Sequence, residues 1–194
     1  MPYRVLVLGD AHIPSRRDTI PSEFYQYIKD SQYDMTLITG DLIRESDMRA
    51  ALPPLPRCFI VTGNMDYGST YNFHEQIQLD RFNILLLHGT QLRPRGNIEQ
   101  LCEILKHIGG DVAVHGHTHR AAIDLYKDRL FLNPGTITGA TGGSGGRTDA
   151  SFIEIVVNED QMDVILHTTN WHVVKRTEIQ YQKHDGRIVR VVLT

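Results

Sequence analysis

Three histidines stand at alternate positions in one short segment, VAVHGHTHR, which covers residues 112–120. The chain has only ten histidines, so His115, His117 and His119 form an unusual concentration. Such a segment is either an ordinary strand with polar residues on one face or a strand end that delivers imidazoles to a metal ion. Further residues of metal-ligand type follow other apolar runs close to a glycine, namely Asp10, His12, Asp41, Asn64 and His88.

The apolar runs before these residues predict strands, and ligands in open α/β sheets bind just beyond the carboxyl ends of the strands. We therefore expect the segments to converge on one site. Without His115 the candidate donors number seven, namely Asp10, His12, Asp41, Asn64, His88, His117 and His119. They are too many for a tetrahedral zinc site, and they include no thiolate. They suffice for two divalent cations that share a carboxylate. Mixed imidazole, carboxylate and amide donors suit Mn, Ni, Co, Fe or Zn, and Mn is the metal that we expect.

Such a site would favour an anionic ligand. Two divalent cations, less two aspartates and one hydroxide, leave a net charge of about +1, which attracts a phosphate group. Two metals ~3.5–4 Å apart can generate a hydroxide nucleophile near neutral pH and bind the phosphoryl oxygens during in-line displacement. The predicted reaction is hydrolysis of a small phosphate ester.

The elements that must position these residues alternate along the first two thirds of the chain. Four apolar runs, RVLVLGD, MTLITGD, CFIVTGN and NILLLHG, are typical of strands buried on both faces. Helices are predicted over 21–31, with Pro21 as a first helical residue, over 45–52, and over 97–108. Asn97 is the expected N-cap of the last helix, and Gly109 with Gly110 is its expected terminator.

The last third of the chain changes character. The segments FIEIVV, MDVILHTT, HVVKRTEIQY and RIVRVVL predict strands joined by short turns without helices between them. We expect these strands to form an antiparallel sheet that packs against the first sheet. The predicted architecture is a four-layer α/β sandwich, formed by a single domain over residues 1–194.

Composition points to an ordinary globular protein. Hydrophobic residues are 41% and charged residues 22% of the 194 residues, and the formal net charge is −3. This balance carries no nucleic-acid-binding signature, and no apolar run approaches the ~20 residues of a membrane-spanning helix. Cys58 and Cys102 lie in apolar contexts and are expected to be buried thiols, which suits a reducing compartment such as the cytoplasm.

Five motifs occur in the order GDAH, GDL, GNMD, LLHG and GHTH, followed by NPGT and the C-terminal segment VVKRTEIQYQK. This series resembles that of the calcineurin-like metallophosphoesterases, in particular the family's small phosphodiesterases and its retromer-subunit branch. The resemblance implies an αββα fold with two mixed β-sheets and a metal-bridging hydroxide as nucleophile. It also implies a first metal on Asp10, His12, Asp41 and His119, and a second on Asp41, Asn64, His88 and His117, with Asp41, Asn64 and His119 taking part in catalysis.

One position departs from the family pattern. Catalytic members often have a histidine after the Asn of the GN motif, which acts as general acid, and this chain has Met65 there. Asp66, which would orient that histidine, is left without its partner. Loss of a general acid typically costs ~10²–10⁴-fold in rate, so we expect modest activity, higher on activated diesters than on alkyl monoesters. His74 and Tyr67 are alternative proton donors, although neither follows from spacing.

A binding role is the alternative to catalysis. The retromer-subunit branch implies a scaffold with a weakly active or structural metal site, and a homo-oligomer or a protein partner stays open. Asp41 and Asn64 favour the enzyme, because the scaffold departs from the ligand set at those positions. Arg93 and Arg95 also favour the enzyme, because they give a basic character to a surface that is apolar in the scaffold. We expect a structural or ligand-orienting role for His115, and a solvated surface position for Arg16, Arg17 and Arg44.

Overall fold

The computed structural model describes residues 1–143 and 145–192, so the end of the predicted strand RIVRVVL lies outside the described residues. Twelve strands and three helices form within these ranges. The helices are α1 (Ser22–Asp30), α2 (Glu45–Ala51) and α3 (Ile98–Ile108). The strands are β1 (Tyr3–Leu8), β2 (Met35–Ile38), β3 (Cys58–Ile60), β4 (His74–Leu79), β5 (Phe82–Leu87), β6 (Val112–His115), β7 (Ala121–Tyr126), β8 (Arg129–Pro134), β9 (Ala150–Asn158), β10 (Gln161–Thr169), β11 (Val174–His184) and β12 (Arg187–Arg190).

The strands form two mixed sheets. The larger has the order β12-β11-β10-β9-β1-β2-β3, in which β1, β2 and β3 are parallel. The smaller has the order β4-β5-β6-β8-β7, in which β5, β6 and β8 are parallel. Both sheets therefore combine parallel and antiparallel pairs, as the expected family fold requires.

The predicted place of the C-terminal strands is wrong. They do not form a sheet that faces the first, because β9 pairs antiparallel with β1, with Val5 opposite Ile155. β9 thereby extends the N-terminal sheet, and the opposing sheet comes from β4 to β8. The physical reason is that β1 is buried on both faces and needs a hydrogen-bonded neighbour on each edge.

Side chains alternate across the larger sheet and separate its two faces. Val5 and Val7 of β1 point to the smaller sheet, in a core that also contains Val114. Leu6 points the other way and packs in the cluster that contains Phe24 of α1 and Met48 of α2. Helix α3 covers the outer face of the smaller sheet through Leu101, Cys102 and Leu105. The predicted four-layer αββα sandwich is confirmed.

The helix ends follow the sequence signals closely. The Asn97 side chain accepts the Gln100 N–H at 3.1 Å, and Gly109 has the left-handed φ of 68° that ends the helix. Pro21 lies one residue before the first helical residue instead of at it. Cys102 is buried as expected, but Cys58 is only half-buried. Within residues 1–143 and 145–192, no helix has the length and apolar character needed to cross a membrane.

Candidate metal centre

The candidate site is formed by turns that directly follow strands. Five of the predicted ligands have left-handed backbone, with φ values from 44° to 69°, and they are Asp10, His12, Asp41, His117 and His119. This conformation is uncommon in residues other than glycine, costs free energy and concentrates at functional sites. It turns the chain sharply after each strand, so that consecutive polar side chains point to one place.

Two glycines make the close approach of these turns possible. A Cβ on Gly63 would lie 2.2 Å from the backbone N and a carboxylate oxygen of Asp41. A Cβ on Gly116 would lie 2.4 Å from the Thr39 hydroxyl oxygen and 2.8 Å from Asp10 Oδ2. Any larger residue would push the ligand turns apart, which explains the glycines that accompany the ligand motifs.

One half of the site contains four of the predicted ligands. The ligand atoms of Asp10, His12, Asp41 and His119 all lie within 4.8 Å of one another. His12 Nε2 is 3.2 Å from His119 Nε2, and the two rings stack with centroids 4.9 Å apart. His12 Nε2 is also 3.4 Å from Asp41 Oδ2, and His119 Nε2 is 3.5 Å from Asp10 Oδ1.

The other half lies across Asp41. The same oxygen, Asp41 Oδ2, is 3.6 Å from His88 Nε2, which is 3.2 Å from Asn64 Oδ1. The ring of His117 packs against that of His88 at a centroid distance of 5.0 Å. The structure thus brings all seven predicted residues together. Asp41 lies between the two groups, with Oδ2 within 3.6 Å of a ring nitrogen of each.

Hydrogen bonds orient the ligand atoms. The Nδ1–H of His88 donates to the Thr39 carbonyl and that of His119 to the Ala140 carbonyl, each at 2.7 Å, so that Nε2 faces the site in both rings. The carboxylates are held in a similar way. The Met65 N–H binds Asp41 Oδ1 at 2.8 Å, which leaves Oδ2 for the site.

Burial lowers the pKa of three imidazoles of the site. It is the main cause that lowers the pKa of His12 to about 3, helped by the charge of Arg16. Burial also lowers the pKa of His117 to about 4 and lowers that of His119. For Asp10, burial and then the charge of Asp41 raise the pKa. The site therefore offers the nitrogen lone pairs of His12, His117 and His119 beside two buried carboxyl groups.

The donor set fits divalent transition-metal ions. Asp10 Oδ1 is buried and has no hydrogen-bond partner within the described chain. Its neighbour His119 Nε2 cannot donate to it, because the proton of that ring is on Nδ1. These two atoms face each other at 3.5 Å in a buried site, and a cation bound between them would accept a lone pair from each. Imidazole nitrogen and carboxylate oxygen are ligands that Mn, Fe, Co, Ni and Zn accept.

Sequence reasoning missed the role of Asp66. Its Oδ2 accepts the N–H groups of Asp41 and Gly63, both at 2.8 Å, and its Oδ1 accepts those of Leu42 and Ile43 at 2.7 and 2.9 Å. The Asp66 carboxylate therefore has partners, and its hydrogen bonds hold the turn in which Asp41 lies. The only local signal was an aspartate two residues after the Asn of the GN motif.

The expectation of a solvated surface position is correct for Arg44 but wrong for Arg16 and for Arg17, which is half-buried. Arg16 is half-buried, with Nη1 3.4 Å from His12 Nε2 and 2.6 Å from the Thr141 carbonyl oxygen. Arg44 pairs with Asp47 at the surface. His115 is buried outside the cluster, where its Nδ1 is 3.2 Å from the amide of Asn133.

The chain as a whole resembles known proteins. The chain matches the calcineurin-like phosphoesterase superfamily domain over residues 3–160. It therefore belongs to the calcineurin-like phosphoesterase superfamily, as the sequence motifs indicated. A probable metallophosphoesterase of Methanothermobacter thermautotrophicus is 31% identical over 159 residues, which cover 81% of this chain and 87% of that protein.

The solved structures that it resembles include Vps29, the retromer subunit whose branch the motifs indicated. A single-mutant Vps29 from Entamoeba histolytica has a TM-score of 0.84 and 29% identity, with 92% of this chain and 99% of that chain covered. Wild-type Vps29 from the same organism, in complex with Zn²⁺, has a TM-score of 0.81 and 28% identity, with 91% and 98% covered. The likeness to the retromer-subunit branch is confirmed.

Proposed function

We propose that this protein is a dinuclear metal-dependent phosphoesterase that hydrolyses phosphodiesters. The observation that carries the proposal is the position of Asp41, whose Oδ2 lies 3.4 Å from His12 Nε2 on one side and 3.6 Å from His88 Nε2 on the other. A carboxylate in this position can bridge two cations. The first metal would be held by Asp10, His12, Asp41 and His119, and the second by Asp41, Asn64, His88 and His117.

Metal binding at this fold has a precedent, because the similar Vps29 was crystallised with Zn²⁺. The donors here contain no sulfur, so Mn²⁺ is the expected ion, with Ni²⁺, Co²⁺, Fe²⁺ or Zn²⁺ as alternatives. Bound divalent cations supply Lewis acidity, which activates water and neutralises charge on phosphoryl oxygens.

The chain's own residues then position the substrate. Asn64 is the exposed member of the ligand set, so its amide can donate to a phosphoryl oxygen while its Oδ1 faces His88. Arg16, held beside His12 by the Thr141 carbonyl, adds a positive charge on the other side. His119 is fixed in one orientation by the Ala140 carbonyl, which keeps its Nε2 directed at the position proposed for the first metal. Positioning of this kind is a large part of phosphoryl-transfer catalysis.

The proposed substrate preference follows from Met65. A methionine cannot protonate a leaving oxygen, and the loss of a general acid typically costs ~10²–10⁴-fold. A leaving group that is already acidic needs no such proton. We therefore expect activated diesters to react well, phenyl and alkyl esters slowly, and small monoesters only modestly.

The test is hydrolysis of bis-p-nitrophenyl phosphate by metal-stripped protein that is titrated with Mn²⁺. We expect turnover that depends on metal and falls to the metal-free background in Asp41→Asn. Asp47→Asn, at the surface on α2, is the matched control and should keep wild-type turnover. Absence of turnover above Asp41→Asn, with Mn²⁺, Ni²⁺, Co²⁺ and Zn²⁺ each shown to bind, would refute the diesterase.

The likeness to Vps29 favours a second candidate, a cytoplasmic scaffold that binds a protein partner or a second copy of itself through this fold. In that role the metal centre is structural or weakly active. The same titration separates the two roles, since the scaffold predicts metal binding without turnover. Sedimentation with and without Mn²⁺ would then show whether the chain self-associates.

A further inference from the structure

A cavity of about 570 Å³ opens directly beside the metal centre, between helix α3 and the edge of the smaller sheet. We call it the α3 cavity. Its base is formed by Leu85 and Leu87 of β5, and its outer wall by Ile104 and Ile108 of α3, with Phe73 at the start of β4. The volume lies within the ~300–1,000 Å³ of typical small-molecule sites.

The α3 cavity is continuous with the proposed second metal site. Asn64 and His88, two of the ligands placed there, also line the cavity. A phosphate group bound at the metal centre would therefore have one of its ester substituents directed along this wall. The α3 cavity therefore adjoins the metal centre and is not a separate pocket.

The lack of charged side chains among the described lining residues restricts which groups can enter the α3 cavity. Among the described residues that line the cavity there is no Asp, Glu, Lys or Arg, and the polar side chains are amides, hydroxyls and the rings of His74 and His88. A group that carries a second phosphate or a carboxylate would lose its hydration there without a counter-charge. The wall suits an uncharged group with an apolar surface.

Phe73 points to an aromatic occupant. Its side chain is 82% exposed, although it is a large apolar ring beside a cavity. Aromatic rings gain from offset or edge-to-face contacts beyond simple burial. A flat ring that enters the cavity would cover Phe73 and contact Ile104 at the same time.

We propose that the α3 cavity binds one ester arm of the substrate and selects an uncharged aromatic arm. This inference rests on the proposed phosphoesterase function and adds a substrate class to it, that of phosphate esters with an aryl or nucleobase-like substituent. The metal centre holds the phosphate in every substrate, and the cavity discriminates between the arms.

The test is calorimetric binding of three phosphonates to the Mn²⁺-loaded protein. Methylphosphonate measures recognition of the headgroup alone, and benzylphosphonate and 1-naphthylmethylphosphonate add a ring on a methylene spacer. We expect each ring compound to bind at least about tenfold more tightly than methylphosphonate, as burial of an aromatic side chain would suggest. Ile104→Gln should reduce this advantage to less than about threefold without weakening methylphosphonate binding.

Ile98→Gln is the matched control, because Ile98 lies on the same helix and packs against the same core but lines no part of the α3 cavity. It should keep the full preference for the ring compounds. Phe73→Ser, at an exposed position, tests the rim without risk to the core and should reduce the preference as well.

The outcomes separate the two proposals. Equal binding of all three phosphonates overturns the role of the cavity while the metal centre stands. An equal advantage in Ile104→Gln and wild type also overturns it, since the ring then binds elsewhere. Failure of all three to bind in the presence of Mn²⁺ overturns the proposed phosphoesterase function, and the cavity inference with it.

Discussion

Asp66 shows how one residue determines the geometry of the centre without facing it. Asp41 and Ile43 both have positive φ, at 55° and 74°. Such backbone costs of order 1–3 kcal/mol for each residue and persists only when the surroundings impose it. Four N–H groups directed at one buried carboxylate impose it here. The free energy of these charge-assisted bonds offsets the strain in the turn that presents Asp41.

Removal of this carboxylate should therefore damage both stability and metal binding. We expect Asp66→Ala to lower the free energy of unfolding by on the order of 3 kcal/mol, because four N–H groups lose a charged acceptor. Urea unfolding of the metal-free protein measures this change in the free energy of unfolding. The affinity for Mn²⁺ should also fall, because the turn that carries Asp41 loses its support. Asp47→Ala is the control, with a change within about 0.5 kcal/mol. Similar values for the two variants would contradict the role given to Asp66.

The residue types of the site were predictable from the sequence, but the contacts that hold them were not. Aspartate, asparagine and histidine next to glycine at strand ends are a local pattern, and it identified all seven residues that the structure brings together. The contact of Asp66 with the Asp41 turn spans 25 positions, and that of Arg16 with Thr141 spans 125. Such contacts depend on how loops cross in space, which no local pattern contains.

At the scale of elements, a buried polar cluster ties helix α1 to the larger sheet far from the metal centre. Glu154 of β9 is 1% exposed and accepts hydrogen bonds from His167 of β10 at 2.6 Å and from the Tyr27 hydroxyl at 2.8 Å. Arg4 of β1 binds its other oxygen at 3.0 Å. The cluster thus links three neighbouring strands and the helix that covers them.

Glu154 should make stability depend on pH. Burial acts to raise the pKa of Glu154, but hydrogen bonds from His167 and Tyr27 outweigh it and leave the pKa below its ordinary value of 4.5. The folded state therefore binds this proton less readily than the unfolded state. The stabilisation is fully present above the unfolded pKa and is lost as the pH falls through the lower folded pKa.

Urea unfolding of wild type and Glu154→Gln measures this effect. The difference in unfolding free energy between the two proteins should be larger at about pH 7 than at about pH 4. Asp10 and Asp41, whose pKa values are raised, titrate in the opposite sense, but they are common to both proteins and cancel in the difference. A difference that does not change with pH would show that the charge of Glu154 does not matter.

Sequence patterns predicted the elements better than their arrangement. The apolar runs gave the strands β1, β2, β3 and β5, and the caps of α3 were correctly located. The pairing of β9 with β1 joins residues about 150 positions apart. It satisfies the backbone hydrogen-bonding groups along the edge of β1, and the alternation of apolar and polar residues within either strand does not predict it. That is why the C-terminal strands were assigned to the wrong sheet.

At the scale of the whole molecule, the metal-free protein holds two carboxyl groups, Asp10 and Asp41, close together in a buried site. Burial and mutual repulsion raise the pKa of Asp10, and burial raises that of Asp41. A cation that binds the folded state alone stabilises it by about 2.7 kcal/mol per site at 100 times its Kd. The proposed centre thus couples metal supply to the stability of the fold.

We expect Mn²⁺ to raise the urea midpoint of wild type and a chelator to reverse the shift. Asp41→Asn should show a small shift or none, because it removes the ligand that both metal sites share. Mg²⁺ at the same concentration is the control for ionic strength, since the imidazole-rich donor set suits it poorly. A shift of equal size in Asp41→Asn would place the stabilising metal elsewhere on the protein.

Anomalous diffraction from crystals grown with Mn²⁺ is the most direct test of whether two metals share Asp41. We expect two anomalous peaks ~3.5–4 Å apart, both in contact with the Asp41 carboxylate. One peak should lie beside Asp10, His12 and His119, and the other beside Asn64, His88 and His117. A single peak, or two peaks of which one does not contact Asp41, would show that Asp41 is not a shared ligand.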